Sequence, residues 1–143
     1  MLKVKIAETP AEKEQAFDVR RKVFVEEQGV PLHIEMDEYD DSATHFVGFN
    51  LEQPIAAARI RETESGIGKI ERVCVLPEYR GQHVGVLMMN EMEEHAKTAG
   101  LFTLKLNSQS YAIPFYEKLG YEVSSPEFLD AGIPHRAMVK NLM

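Results

Sequence analysis

The chain has 143 residues, 44% hydrophobic and 27% charged, which fits one ordinary globular domain and leaves no room for two full cores. Sixteen Lys and Arg against 23 Asp and Glu give a net charge of −7, which argues against binding to nucleic acid or docking on an anionic membrane. The single cysteine excludes an intrachain disulfide and a zinc ribbon, so a reduced, cytoplasmic setting is expected.

The opening MLKVKIAETP has no long apolar run behind its lysines, so no secretory leader is expected, and no stretch approaches the roughly 18 apolar residues of a membrane span. Residues 1–143 are therefore read as one unit. Residues 2–7 alternate apolar and polar and predict a strand. Thr9, Pro10 and Glu12 then spell a capping box, which predicts a helix to about Val25 with Phe17, Val23 and Phe24 buried. Gln28-Gly29-Val30-Pro31 breaks it. The polar stretch 33–42 reads as a loop, with room for a short helix near 27–30.

Residues 44–50 and 54–61 predict a strand pair around Leu51-Glu52-Gln53, and 68–76 a further strand stopped by Pro77. A long helix is expected from near His83 to near Ala99, capped by Gly100. Its inward stripe is Val84, Leu87, Met88, Met92 and Ala96, with Glu93 among the outward residues. A strand at 101–106, a short helix over about 110–119 closed by Gly120, and strands at 121–125 and 135–141 complete the chain. That order implies an α+β fold, a mixed sheet with helices on both faces.

The chemistry concentrates in Glu71 to Val86, ERVCVLPEYRGQHVGV. A strand ends there, a turn with Pro and Gly follows, and a long helix begins. The first N–H groups of a helix lack internal partners, and the helix dipole adds about half a positive charge at that end. Such a turn suits a phosphate. Gly81 and Gly85 permit close backbone approach, and Arg80 can add a charge-assisted contact. Neither the G-x-G-x-x-G dinucleotide pattern nor the G-K-[ST] phosphate loop is present.

A second stretch runs from Asn107 through Ser108-Gln109-Ser110 to Phe115-Tyr116-Glu117-Lys118-Leu119-Gly120-Tyr121. With it, the sequence resembles the GNAT superfamily of acyl-CoA N-acyltransferases. Arg80-Gly81-Gln82-His83-Val84-Gly85 is similar to that family's Q/R-x-x-G-x-G/A signature, with His83 in place of the middle glycine. The segment at 115–121 is similar to the family's F-Y-E-K-L-G-F. Arg20-Arg21-Lys22-Val23-Phe24-Val25-Glu26-Glu27-Gln28-Gly29, followed by Glu35, Asp37, Asp40, Ala43 and His45, resembles the ElaA-like branch.

The resemblance implies the GNAT fold, a mostly antiparallel sheet in which two neighbouring parallel strands, 68–76 and 101–106, splay apart. It implies acetyl-CoA as co-substrate, with pantetheine along Val73, Cys74 and Val75 and the diphosphate over Gln82, His83, Val84, Gly85 and Val86. A helical φ at His83 is expected to leave its amide available. Asn107 is expected beside the pantetheine. Tyr116 matches the family's tyrosine facing the CoA sulfur, and a phenol protonated at neutral pH can donate to a departing thiolate. The Val75 N–H is the expected oxyanion donor.

Glu71 lies two residues before Val73, so strand alternation puts both on one face and makes Glu71 the expected general base, acting through water. Glu26, Glu27 and His45 are rival bases. Cys74, set between valines, reads as a small buried hydrophobe and not a nucleophile. His33, Glu35, Asp37, Asp40 and His45 fit neither zinc nor EF-hand spacing, so no metal is expected.

The leading reading is direct acetyl transfer to a primary amine, on a small molecule or a protein. The acidic balance favours a cationic acceptor, with the acidic stretch after Glu35 on its side of the cleft. The alternatives are a noncatalytic acyl-CoA sensor and an unrelated phosphate-binding module. Members of the family often dimerise, but no interface is legible.

Overall fold

The computed structural model describes residues 2–142. Helix α1 (Pro10–Arg20) starts as its sequence dictates: the Glu12 amide donates to Thr9 Oγ1 at 3.1 Å, and the Glu12 carboxylate accepts from the Thr9 amide. It runs on as a π-helix over Arg21–Glu27, where the Gln28 amide bonds back to the Val23 carbonyl. The stretch expected to be a loop contains helix α2 (Leu32–Glu35) and a 3-10 turn over Glu38–Asp41 capped by Asp37.

The strands are β1 (Leu2–Ile6), β2 (Thr44–Asn50), β3 (Gln53–Glu64), β4 (Ile67–Val75), β5 (Thr103–Gln109), β6 (Glu122–Val123), β7 (Phe128–Asp130) and β8 (Ile133–Asn141). They form one sheet in the order β1-β2-β3-β4-β5-β8-β6, with β7 also on β8. Every pair is antiparallel except β4 with β5. Helix α3 (Val84–Thr98) covers one face, where Met88 meets Gly48. Helix α1 lies over β2 and β3 on the other, where Arg20 reaches toward Arg59 through Asp40. Helix α4 is Ile113–Lys118.

The inward stripe of α3 is Val84, Met88, Met89, Met92 and Ala96. Leu87, expected inside, is exposed. Glu93, expected outside, is buried because the Tyr121 hydroxyl donates to it at 3.1 Å and Lys140 Nζ at 2.9 Å. Strand β5 starts two residues later than expected. The three-residue β7 was not foreseen at all.

Candidate active site

Strands β4 and β5 pair only from Ile67 with Thr103 to Ile70 with Leu106. Beyond that point β4 keeps its bonds to β3 and β5 keeps its bonds to β8, so the two strands part. The splay opens a cleft of about 700 Å³, a volume suited to a ligand. It is lined by Glu71, Val73, Cys74, Val75, Arg80, Gly81, His83, Val84, Gly85, Val86, Asn107 and Tyr116. Gln82 lies off this lining; its side-chain amide donates to the Glu78 carbonyl.

The turn into α3 holds the phosphate-suited feature. The amides from Gly81 to Val86 make no hydrogen bond among the described residues. Gly81 (φ 79°) and His83 (φ 64°) both take the left-handed conformation, which curls successive N–H groups into a concavity. The helical φ expected at His83 is therefore corrected. The glycine of the family pattern has a conformational reason, and this chain meets it with a residue less comfortable there. Gly85 is small for a different reason than expected. A Cβ there would come within 3.1 Å of the Phe115 ring, so its close approach is to α4.

Arg80 is not idle. Its terminal nitrogens hold both oxygens of Glu27 at 2.7 Å, and its Nε donates to the Val75 carbonyl at 3.0 Å. The Leu76 amide donates across to Ile55 on β3. Alternation then turns the Val75 N–H the other way, into the splay.

The face assigned to Glu71 is corrected. Arg59 pairs with Glu71 and Ala57 with Cys74, so β4 carries one residue more than β3 in this interval. Arg72, at φ 61°, marks this bulge. Ala57 and Arg59 share a face, so Glu71 shares its face with Cys74 and not with Val73. The Glu71 carboxylate accepts from Arg59 Nε at 3.1 Å and Arg61 Nε at 2.7 Å, with Lys69 at 3.7 Å. Burial would raise its pKa. The Arg61 hydrogen bond and the charges of Arg59, Arg61 and Lys69 outweigh burial and hold it below the usual range.

Glu35, Asp37 and Asp40 of the acidic stretch are engaged by arginines and not free for a ligand. Arg59, 1% exposed, binds Asp37 at 2.7 Å and Asp40 at 2.8 Å. Arg20, fully buried, binds Glu35 at 2.8 Å and Asp40 at 2.7 Å, and Arg72 donates to Asp37 at 3.2 Å. These pairs fasten α2 and the turn after it onto the sheet. The described residues hold no group of three or more His, Cys, Asp and Glu placed to bind a metal.

Tyr116 is nearly buried, with Phe115 and Tyr121 edge-on to it. Its hydroxyl has no partner, yet it is not among the sealed unpaired polar atoms, which are Glu35 Oε2 and His45 Nδ1. It therefore reaches solvent, and the open space Tyr116 borders is the cleft. Burial raises its pKa further, so the phenol stays protonated. Cys74 is sealed in the sheet, and burial pushes its thiol up to about 12, far from a reactive thiolate.

The opposite wall was missed from sequence. Phe24 comes from the π-helix, Gln28 and Val30 from the turn after it, Ile34 from α2, and Ile133 and His135 from β8. Gln109 Nε2 donates to Gln28 Oε1 at 2.9 Å and joins the two sides. No local pattern marks these residues; the pairing of β8 with β5 and β7 brings Ile133 and His135 to the cleft.

A parallel pair that splays beside a turn of unpaired amides, with a tyrosine in the gap, defines a class of acyl-CoA acyltransferase. Residues 8–142 match the family model of the acetyltransferase (GNAT) domain, and the chain belongs to that family of acyltransferases. YjcF of Bacillus subtilis strain 168, described as an uncharacterized N-acetyltransferase, is 44% identical over 141 residues, 98% of this chain and 100% of that one. Escherichia coli ElaA superposes with a TM-score of 0.87 at 23% identity, covering 98% of this chain and 99% of that one. An acyl-CoA N-acyltransferase from Pseudomonas aeruginosa superposes at 0.85 with 25% identity, covering 98% of each. No helix among the described residues is long and apolar enough to cross a membrane.

Proposed function

We propose that residues 1–143 act as one N-acetyltransferase domain that moves an acetyl group from acetyl-CoA directly to a primary amine within a ternary complex. The observation that carries this reading is the run of unpaired amides from Gly81 to Val86 at the mouth of the splay. Val84 is buried and Gly85 and Val86 half-buried, where N–H groups without partners are costly, and a diphosphate supplies the missing acceptors. Pantetheine then lies along Val73, Cys74 and Val75, with Asn107, exposed at the cleft, beside it.

At the thioester, the Val75 N–H faces the developing oxyanion and the Tyr116 hydroxyl faces the leaving sulfur. Holding both substrates in line supplies much of the rate, since oriented reactants gain roughly 7–11 kcal/mol. Glu71 is a poor base by this geometry. Its proton affinity is lowered by three cations, and its role is to tie Arg59 and Arg61 of β3 to Lys69 of β4. Arg20, Arg59 and Arg72 engage Glu35, Asp37 and Asp40, and Glu38 and Asp41, unpaired among the described residues, lie off the cleft lining, so the stretch is a weak basis for selecting a cationic acceptor. The acceptor wall is apolar at Phe24, Val30, Ile34 and Ile133, which suits an amine on an apolar body, free or on a protein.

A noncatalytic sensor has no use for a phenol open to the cleft, so that alternative is not favoured. The test is calorimetry with acetyl-CoA, followed by thiol release over a panel of primary amines. Binding and amine-dependent thiol release are expected. No heat with acetyl-CoA overturns the reading, and binding without release from any amine leaves the sensor in its place.

A further inference from the structure

Direct transfer needs a group to take the proton from the attacking nitrogen, and Glu71 is ill suited. The rivals fare no better. Glu27 is clasped by Arg80, and neither Glu26 nor His45 lines the cleft. Glu35 does line it, but one carboxylate oxygen is held by Arg20 and the other is sealed. His83 belongs to the phosphate turn.

His135 differs from all of these. It stands at the start of β8, opposite Gln109 at the end of β5, in the cleft that holds Tyr116 and Val75. Phe128 on β7 stacks on its ring at 6.0 Å, with the planes 20° apart, which fixes the ring plane. Its Nδ1 lies 2.6 Å from the Ile133 carbonyl oxygen. A carbonyl oxygen only accepts, so Nδ1 carries the hydrogen. In the neutral ring the lone pair is then on Nε2. That atom has no partner among the described residues, and it is not one of the sealed unpaired atoms. The residue is only 8% exposed, and the open space it borders is the cleft.

We propose that His135 Nε2 is the general base of the transfer; this rests on the acetyltransferase reading above. The amine lone pair forms the C–N bond at the thioester carbon, and the N–H proton passes to Nε2. The C–S bond breaks, its electron pair leaves with sulfur, and the thiolate takes the Tyr116 proton. Solvent then returns the imidazolium proton to the phenolate. The sum is amine plus thioester to amide plus thiol. The charged and titratable groups on the elements about the ring are Asp130 on β7, Arg136 and Lys140 on β8, Lys105 on β5, Tyr111 before α4, and, just before β7, Glu127, whose carboxylate accepts from the Ser110 hydroxyl.

The test is His135→Asn, whose side-chain N–H can still reach the Ile133 carbonyl while the base is gone. The readouts are kcat, KM for acetyl-CoA and calorimetric CoA affinity, using the best amine of the panel. The expected result is a fall in kcat of about 100-fold or more with CoA affinity retained. An Asn variant that turns over like wild type overturns the proposal while the acetyltransferase reading stands. A wild type that releases no thiol with any amine sinks both. If the variant does not fold, nitrogen NMR of the wild type decides: protonated Nδ1 with bare Nε2 supports the base, and the opposite tautomer overturns it.

Discussion

Arg80 and Glu27 lie 53 residues apart in sequence and form a two-point ion pair, both N···O distances 2.7 Å. The same guanidinium caps the Val75 carbonyl. One side chain thus ties together the end of the π-helix, the end of β4 and the turn into α3. The pair is half-exposed, so it adds little to stability, on the order of 1 kcal/mol or less. Its consequence is for binding, because it holds the Arg80 guanidinium beside the loop whose amides face the cleft. Arg80→Ala is expected to weaken acetyl-CoA binding in calorimetry while the thermal midpoint barely moves. Glu27→Gln releases Arg80 toward the diphosphate and is expected to hold or tighten affinity. Equal affinity in Arg80→Ala and wild type removes Arg80 from the binding account.

Tyr116→Phe keeps the ring, and therefore the edge-on packing with Phe115 and Tyr121, and deletes only the proton donor. Turnover is expected to fall by about 100-fold, within the range for a lost general acid, with acetyl-CoA affinity intact. The pH dependence has a definite sign. Burial holds the phenol above its usual pKa, so the acid form persists throughout the neutral and mildly alkaline range. Tyr116 should add no alkaline limb there. A Phe variant as fast as wild type across a pH series eliminates the acid role.

Much of the fold is legible because it is locally encoded. The Thr9 capping box, the start of α3 after His83 and the pairing of β2 with β3 each follow from residues a few positions apart. The site's anion turn was legible for the same reason. The β4 bulge was not, because positive φ at Arg72 leaves no mark on side-chain alternation. Nor was left-handed His83. The polar stretch 33–42 read as loop because its acidic residues find their partners at Arg20, Arg59 and Arg72, through tertiary contacts that no periodicity records. His135 joins the cleft only once β7, too short to alternate, pairs with β8.

The buried ion network makes stability acid-sensitive. Burial alone would raise the Asp40 pKa, but hydrogen bonds from Arg20 and Arg59 hold it at about 2. A carboxylate depressed in the folded state contributes fully above its unfolded pKa and loses that contribution as pH falls through its folded one. The loss therefore falls between about pH 4 and about pH 2, and amounts to roughly 2 kcal/mol for this group. Thermal melts across that window should show the midpoint dropping. Asp40→Asn should flatten the drop and lower the midpoint at neutral pH, since it leaves Arg20 and Arg59 buried with less compensation. A variant with the wild-type melting profile at both pH values contradicts this role for Asp40.

His83 occupies a backbone conformation that costs a non-glycine residue roughly 1 kcal/mol, and no side-chain bond caps α3 in return. His83→Gly relieves that strain but adds freedom to the unfolded chain, a term of roughly 0.4–1 kcal/mol in the other direction. The two nearly cancel, so the thermal midpoint should change little. The amides of Val84, Gly85 and Val86 keep their positions, and the side chain over the diphosphate path is gone, so CoA affinity should hold or rise. His83→Val places a β-branched residue at the same φ and should lower both midpoint and affinity. If His83→Gly instead loses affinity while folding normally, the imidazole itself grips the phosphate, and the main-chain account of this turn gives way to a side-chain one.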